Sequence, residues 1–198
     1  MKIGVLAIQG DVREHVHHTE AAGADVVLVR LPRDLEGTEG LIIPGGESTT
    51  IGMLMAEYGL LDAVMQRASD GTYPIYGTCA GLILMAKEVI GFSPARLGLV
   101  DIDASRNAYG RQIASFEVDL EIPVLGEQPF PAVFIRAPKI QRLGPSVTPL
   151  AWHHGEVVMA ESGPYLVSSF HPEMSPDLRI HQYFLEKVKR AQAVAGVS

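Results

Sequence analysis

The chain carries a single cysteine, placed between glycines in Gly77-Thr78-Cys79-Ala80-Gly81, and a histidine followed closely by a carboxylate in Phe170-His171-Pro172-Glu173. A thiol is an efficient nucleophile only as thiolate, a minor form at neutral pH for an unperturbed pKa of about 8.5, so a base or positive neighbour must stand near the sulfur. Among seven histidines, His171 comes with a backbone shape and a carboxylate that suit the task. Pro172 disfavours helical geometry at residue 171, an extended chain projects residues 171 and 173 to one side, and Glu173 then reaches the imidazole. A carboxylate so placed fixes the ring tautomer and stabilises the imidazolium. Each half has a plain alternative: a lone cysteine is most often a small buried core residue, and His-Pro-Glu is a common surface turn. Read jointly, the two halves predict a Cys79-His171-Glu173 triad.

The elements around these residues must bring them together. Tyr73 to Tyr76 reads as a strand and Leu82 to Val89 as a helix, so Cys79 sits at a sharp strand-to-helix turn of the nucleophile-elbow kind. Upstream, Ile3 to Ile8, Asp25 to Leu31 and Leu41 to Ile43 are short apolar strands. A helix capped by Asp11 runs to Gly23 with Val12, Val16 and Thr19 on one face, and another spans Ile51 to Ala68. Such alternation implies a parallel sheet covered on both faces, with Gln9-Gly10, Gly45-Gly46 and Cys79 on its carboxyl edge. After Phe92 the pattern changes: Leu97 to Ile102, Ala114 to Ile122, Val133 to Ala137, Glu156 to Ala160 and Tyr165 to Phe170 read as strands, some pairing antiparallel. Leu125 to Pro131 and Gly144 to Pro149 read as loops, and Pro176 to Ala191 as a final helix with His181, Phe184, Leu185 and Val188 on one face.

Bulk properties narrow the function classes. At 198 residues, one domain spanning 1–198 is expected. The net charge of −7 without a basic cluster argues against nucleic acid or an anionic membrane as partner. One cysteine forms no internal disulfide, and the apolar run after Met1-Lys2 is too short for a signal core or a membrane span, so a cytoplasmic protein is expected.

A Gly-x-Cys-x-Gly elbow with a distant His-Pro-Glu resembles the triad-type (class I) glutamine amidotransferases. Five blocks narrow the likeness: Ile3 to His15, Pro44 to Thr50, Gly77 to Ala86, Arg106 to Gln112 and Val133 to Pro138 resemble the glutaminase subunits of the two-component pyridoxal 5′-phosphate synthases. Many sister amidotransferases carry Gln four residues after the nucleophile, where this chain has Ile83.

The resemblance implies a flavodoxin-like three-layer α/β sandwich with a mostly parallel sheet and some antiparallel strands in the C-terminal half. It implies hydrolysis of L-glutamine to glutamate and ammonia through a glutamyl thioester on Cys79, with no cofactor and no metal. Gly46, Glu47, Ser48, Arg106, Ile135 and Arg136 would bind glutamine, and backbone N–H groups of Gly46 and Ala80 would form the oxyanion hole. The ammonia would pass to a barrel-shaped synthase subunit in a large hetero-oligomer, for vitamin B6 synthesis. Docking of that partner would order the backbone near Gln9-Gly10 and Gly46.

Other readings stand beside these. Gly45-Gly46-Glu47-Ser48 before a helix could cradle phosphate, although it lacks the lysine and spacing of a P-loop. Arg106 and Arg136 could form surface ion pairs. His15, His17 and His18 read as a solvated helix face in preference to a metal site, His153-His154 as a turn, and His181 as a packed residue. A free-standing thiol hydrolase of γ-glutamyl bonds and a non-catalytic binding module remain alternatives for the whole chain.

Overall fold

The computed structural model describes residues 1–91, 95–106 and 115–195. In chain order the elements are β1 (Lys2–Leu6), α1 (Val12–Ala21), β2 (Asp25–Val29), β3 (Gly40–Ile43), α2 (Ser48–Glu57), α3 (Leu60–Ala68) and β4 (Ile75–Thr78). Then come α4 (Ala80–Met85), β5 (Ala86–Val89), β6 (Val100–Ser105), β7 (Ser115–Leu120), β8 (Phe130–Ile135), β9 (Lys139–Leu143), β10 (Thr148–His153), β11 (Glu156–Ser162), β12 (Tyr165–Ser168) and α5 (Arg179–Ala195).

Among the described residues, the central sheet runs β10-β11-β12-β4-β3-β1-β2. The five strands from β12 to β2 are parallel, and β10 and β11 add an antiparallel edge. Read from β2, the parallel part runs β2-β1-β3-β4-β12, the flavodoxin-like order with β12 in fifth place, and its switch point lies between β1 and β3. Ligands of such sheets bind at the carboxyl ends of the strands there, and both Gln9-Gly10-Asp11 and Pro44-Gly45-Gly46 leave strands at that point.

The strands are apolar on both faces because both faces are covered. Leu6, Leu41, Ile43, Ile75 and Val167 pack with Ile51 and Met55 of α2, Leu60 and Val64 of α3, and α4. Ile3, Val5, Ile42, Tyr76 and Leu166 point the other way, onto Val12 and Val16 of α1 and Ile180, Phe184 and Val188 of α5. Alternation along each strand thus builds two cores and three layers. Each fully buried side chain of this size contributes roughly 1.5–3 kcal/mol. A small sheet β5-β6-β9 and the β7-β8 hairpin flank the main sheet.

Several expectations need correction. The helix expected over Ile51 to Ala68 is two helices, broken at Gly59, whose φ of 71° is left-handed and suits glycine. The helix expected from Leu82 to Val89 stops at Met85, because Ala86–Val89 pairs with β6, so tertiary pairing overrides a local apolar pattern that fits either state. The strand expected at Tyr73 to Tyr76 lies at Ile75–Thr78. β9 was not foreseen, and β10 takes Thr148 and Pro149 out of an expected loop. A proline there is tolerated because β10 is an edge strand with irregular register beside Pro149. The last helix runs over Arg179–Ala195, with His181, Phe184, Leu185 and Val188 buried as the pattern suggests. Phe92, Ala114 and the 107–112 part of the Arg106 to Gln112 block lie outside the described residues.

The largest correction concerns α1. His15 and His18 are buried, and only His17 of the three faces solvent. Asp11 precedes α1 as expected, yet its side chain makes no capping hydrogen bond among the described residues.

Candidate active site

Register brings Cys79 and His171 together. Strands β4 and β12 are parallel neighbours with Thr78 opposite Ser168. Cys79 follows one strand and His171 follows the other, so both emerge at the same carboxyl edge. The Cys79 N–H donates to the Ser168 carbonyl at 2.8 Å, which ties it to β12, and the His171 N–H donates to the Val133 carbonyl at 2.8 Å, which ties it to β8 of the flanking hairpin.

Cys79 sits at φ 49°, ψ −101°, a positive-φ conformation that residues other than glycine seldom adopt. The flanking glycines permit the turn by close approach. A Cβ on Gly77 would meet the Gly81 carbonyl carbon at 2.6 Å, and one on Gly81 would overlap the Ile43 carbonyl of β3. The thiol is 3.8 Å from the Ile135 carbonyl. Ala80 opens α4, so its N–H belongs to the first-turn donors that have no partner inside a helix.

His171 Nδ1 lies 2.7 Å from Glu173 Oε1 and 3.4 Å from Asp11 Oδ2. The carboxylate arrives differently from the simple alternation expected: His171 is extended, and a 3-10 turn over Pro172–Met174 swings Glu173 back beneath the ring. Gly45 makes room, since a Cβ there would stand 2.5 Å from His171 Cε1. Nε2 makes no directed hydrogen bond among the described residues, although the Cys79 thiol is close enough to favour the protonated ring. Burial opposes the imidazolium, but Asp11, Cys79 and Glu173 outweigh it and hold His171 up at about 12. Burial pushes the Glu173 carboxyl up while His171 pulls it back, so the two groups share one proton that rests on the ring.

These groups open onto a cavity of about 310 Å³. The expected residues Gly46, Glu47, Ser48, Cys79, Ala80, Arg106, Ile135, Arg136 and His171 all line it; Glu173 stands behind His171. Glu47 accepts from the N–H groups of Thr49 and Thr50 and from the Thr50 hydroxyl, capping α2. Burial works against its charge, but those bonds bring its carboxyl down to about 2. Arg106 Nη2 donates to Glu47 at 2.9 Å and Nη1 to Thr49 Oγ1 at 3.2 Å, so this guanidinium is held over the cavity rim. Ser48 Oγ is buried without a partner among the described residues, a hydroxyl available to a ligand. Arg136 is exposed at φ 44°, aligned with the cavity by another strained backbone position.

Two lining residues were not expected in a functional role. Asp11 was read only as a cap, yet it faces His171; its place directly after Gln9-Gly10 on the carboxyl edge was the available signal. Ile83 was noted as a departure from sister families and proves to line the apolar wall. Gln9 Oε1 also accepts the Glu47 N–H at 2.9 Å, bridging the two loops of the switch point. Asp11, His171 and Glu173 offer ligand atoms within 4.8 Å of one another. The His171 nitrogen of this group is Nδ1, which faces Glu173 at 2.7 Å and Asp11 at 3.4 Å. His153 ends β10, stacked near Phe116, and His154 lies in the following turn; neither is among the residues that line this cavity.

A family model for the SNO glutamine amidotransferase family matches residues 5–190. The chain belongs to that family. Among relatives of this SNO amidotransferase, "Pyridoxal 5'-phosphate synthase subunit PdxT" of Moorella thermoacetica is 54% identical over 188 residues, covering 95% of this chain and 100% of the relative. The protein of the same name from Thermotoga neapolitana is 49% identical over 189 residues, covering 96% and 100%. A solved structure described as a glutamine amidotransferase superposes with a TM-score of 0.90 at 48% identity, covering 94% of this chain and 98% of that one. The expected α/β fold with a mostly parallel sheet is therefore also that of an amidotransferase of known structure. Among the described residues of this SNO amidotransferase, no helix is long and apolar enough to cross a membrane.

Proposed function

We propose that residues 1–198 form one glutaminase domain that hydrolyses L-glutamine to glutamate and ammonia. The ammonia passes to a partner subunit of pyridoxal 5′-phosphate synthase. The observation that carries this reading is the placement of Cys79 and a carboxylate-held His171 on one cavity whose rim carries Glu47 and Arg106. Relatives named as synthase subunits support the choice of partner.

Glutamine enters with its amide toward Cys79. Arg106 and Arg136 attract its carboxylate, Glu47 its ammonium group, and Gly46, Ser48 and Ile135 complete the contacts. The Cys79 thiolate, paired with the His171 imidazolium, attacks the amide carbon. Oxygen charge develops toward the N–H groups of Ala80 and Gly46; one such donor is typically worth roughly 10²- to 10³-fold in rate. The C–N bond breaks as His171 Nε2 gives its proton to the departing nitrogen, releasing ammonia and leaving a glutamyl thioester. His171, now neutral, takes a proton from water, whose oxygen attacks the thioester. Glutamate leaves, and the thiolate and imidazolium are restored. Neither step draws on a cofactor or metal.

The Gly45 carbonyl accepts the Asp11 N–H at 3.0 Å, and in a trans peptide the Gly46 N–H points the opposite way. The two glycine loops are thus bonded to each other, so a partner that moves Gln9-Gly10 also moves an oxyanion donor. The setting is cytoplasmic, in keeping with one free cysteine, and the assembly is a hetero-oligomer.

Glutamate production by the isolated chain and by the chain with its synthase subunit tests the reading. A rate that rises on adding the synthase, with amide nitrogen appearing in pyridoxal 5′-phosphate, is the expected outcome. Equal rates and no nitrogen transfer would leave a free-standing hydrolase.

A further inference from the structure

Behind the triad, on the side away from the cavity, two more histidines are buried in line with it. His15 of α1 is wholly buried and His181 of α5 nearly so, and His15 Nδ1 lies 3.0 Å from His181 Nε2. His15 Nε2 is 3.0 Å from Thr78 Oγ1 and 3.2 Å from Glu173 Oε2. That second carboxylate oxygen is buried and accepts no well-directed hydrogen bond among the described residues. Thr78 is the residue before the nucleophile, so one imidazole touches both the Cys79 strand and the Glu173 carboxylate.

The partners select the tautomer. His181 Nδ1 has no partner among the described residues, so its proton belongs on Nε2, where it is donated to His15 Nδ1; a buried bare lone pair costs less than an orphaned N–H. His15 then carries its own proton on Nε2, facing Thr78 and Glu173. The opposite tautomer would set a lone pair against a carboxylate oxygen. Burial first, then His181, His171 and His18, keep the His15 ring well below its usual pKa, and burial with His18 brings His181 down to about 3, so both rings are neutral donors. The groups around the pair are Glu173, His171 with Asp11, His18 at 5.0 Å between ring centroids, and the Tyr76 ring at 6.5 Å.

We propose that His15 is a positioning residue for the triad, its Nε2–H held on Thr78 and set against Glu173 Oε2 so that the carboxylate keeps its other oxygen on His171. A neutral donor suits this task better than a lysine or arginine would. A cation there would draw the charge of Glu173 away from the imidazolium that the carboxylate must stabilise, whereas an N–H orients the carboxylate and leaves its charge in place. The inference rests on the glutaminase reading of the site, but its test does not depend wholly on it.

Cys79 is the single cysteine, so iodoacetamide alkylation of the chain reports on that thiol alone. In complex with the synthase subunit, His15→Leu should lower kcat by about tenfold to a hundredfold with KM for glutamine little changed, the scale of a buried polar group left without its partner. Alkylation at neutral pH should slow similarly, and His15→Gln, which restores an N–H donor, should recover most of both rates. A folded His15→Leu with wild-type kcat and alkylation rate would overturn the proposal, as would a folded His15→Gln no better than His15→Leu. Should the leucine variant not fold, nitrogen-15 spectra of the wild-type imidazoles decide: an Nε2–H tautomer at His15 is expected, and an Nδ1–H tautomer or a doubly protonated ring would contradict it. Failure of the glutaminase reading would appear separately, as no glutamine hydrolysis by the wild-type complex, or as hydrolysis that survives Cys79→Ala while His15 is intact.

Discussion

Thr78 and Ser168 stand opposite each other in adjacent parallel strands, and the residue after one is Cys79 while the chain after the other carries His171. The meeting of Cys79 and His171 is therefore set by backbone pairing of the sheet, and the side chains need only short, rigid reaches. Substitutions that leave the sheet alone but alter those reaches should separate activity from stability.

Glu173→Gln tests the carboxylate. The glutamine can occupy the same space, but it loses the charge that holds the His171 proton, 2.7 Å away. A kcat loss of roughly 10²- to 10⁴-fold is expected, by analogy with triads whose carboxylate is neutralised. Steady-state ammonia release by the complex, beside a thermal melt of the chain, measures it.

Gly45→Ala tests the room made for His171. The new Cβ would stand 2.5 Å from His171 Cε1 and 2.9 Å from Asp11 Oδ2, so the imidazole must shift. A loss of glutaminase activity on the order of 10²-fold is expected from displacing a reacting group by a few tenths of an ångström to an ångström. The melt should change far less than that of Gly81→Ala, where the clash is with the Ile43 carbonyl backbone.

Glu47 has two tasks. Glu47→Ala should cost about 1 kcal/mol of stability through the lost cap of α2, and should also raise KM for glutamine. Arg106→Ala should raise KM by about tenfold while leaving the cap bonds from Thr49 and Thr50 in place. Chemical denaturation and glutamine saturation curves separate the two effects.

Acid should weaken the fold through His181. Its folded-state value is brought down to about 3 by burial and His18. Below about 6.5 the unfolded ring takes up a proton that the folded ring refuses, so stability falls with falling pH by about 1.4 kcal/mol per pH unit for this group. The loss continues until the folded ring also titrates. His181→Gln should remove about that slope from urea unfolding measured between pH 6 and pH 4, and an unchanged slope would contradict the assignment.

The sheet strands and the convergence of Cys79, His171 and Glu173 were legible in the sequence because both depend on local signals: short apolar runs closed by glycine, and a cysteine and a histidine each at a strand end. The buried role of His15 was not. Three histidines among charged residues on a helix look like a solvent face, and the residue that completes the burial of His15, His181, lies 166 positions away. β10 was hidden by Pro149, which only an edge position tolerates, and Asp11 was hidden by a plausible capping role that its side chain does not perform.

The central claim is that Cys79 is the nucleophile that attacks glutamine. Ammonia release from glutamine by Cys79→Ala, assembled with the synthase subunit and shown to melt like the wild type, tests it most directly. No release above background is expected, and hydrolysis at the wild-type rate would contradict it.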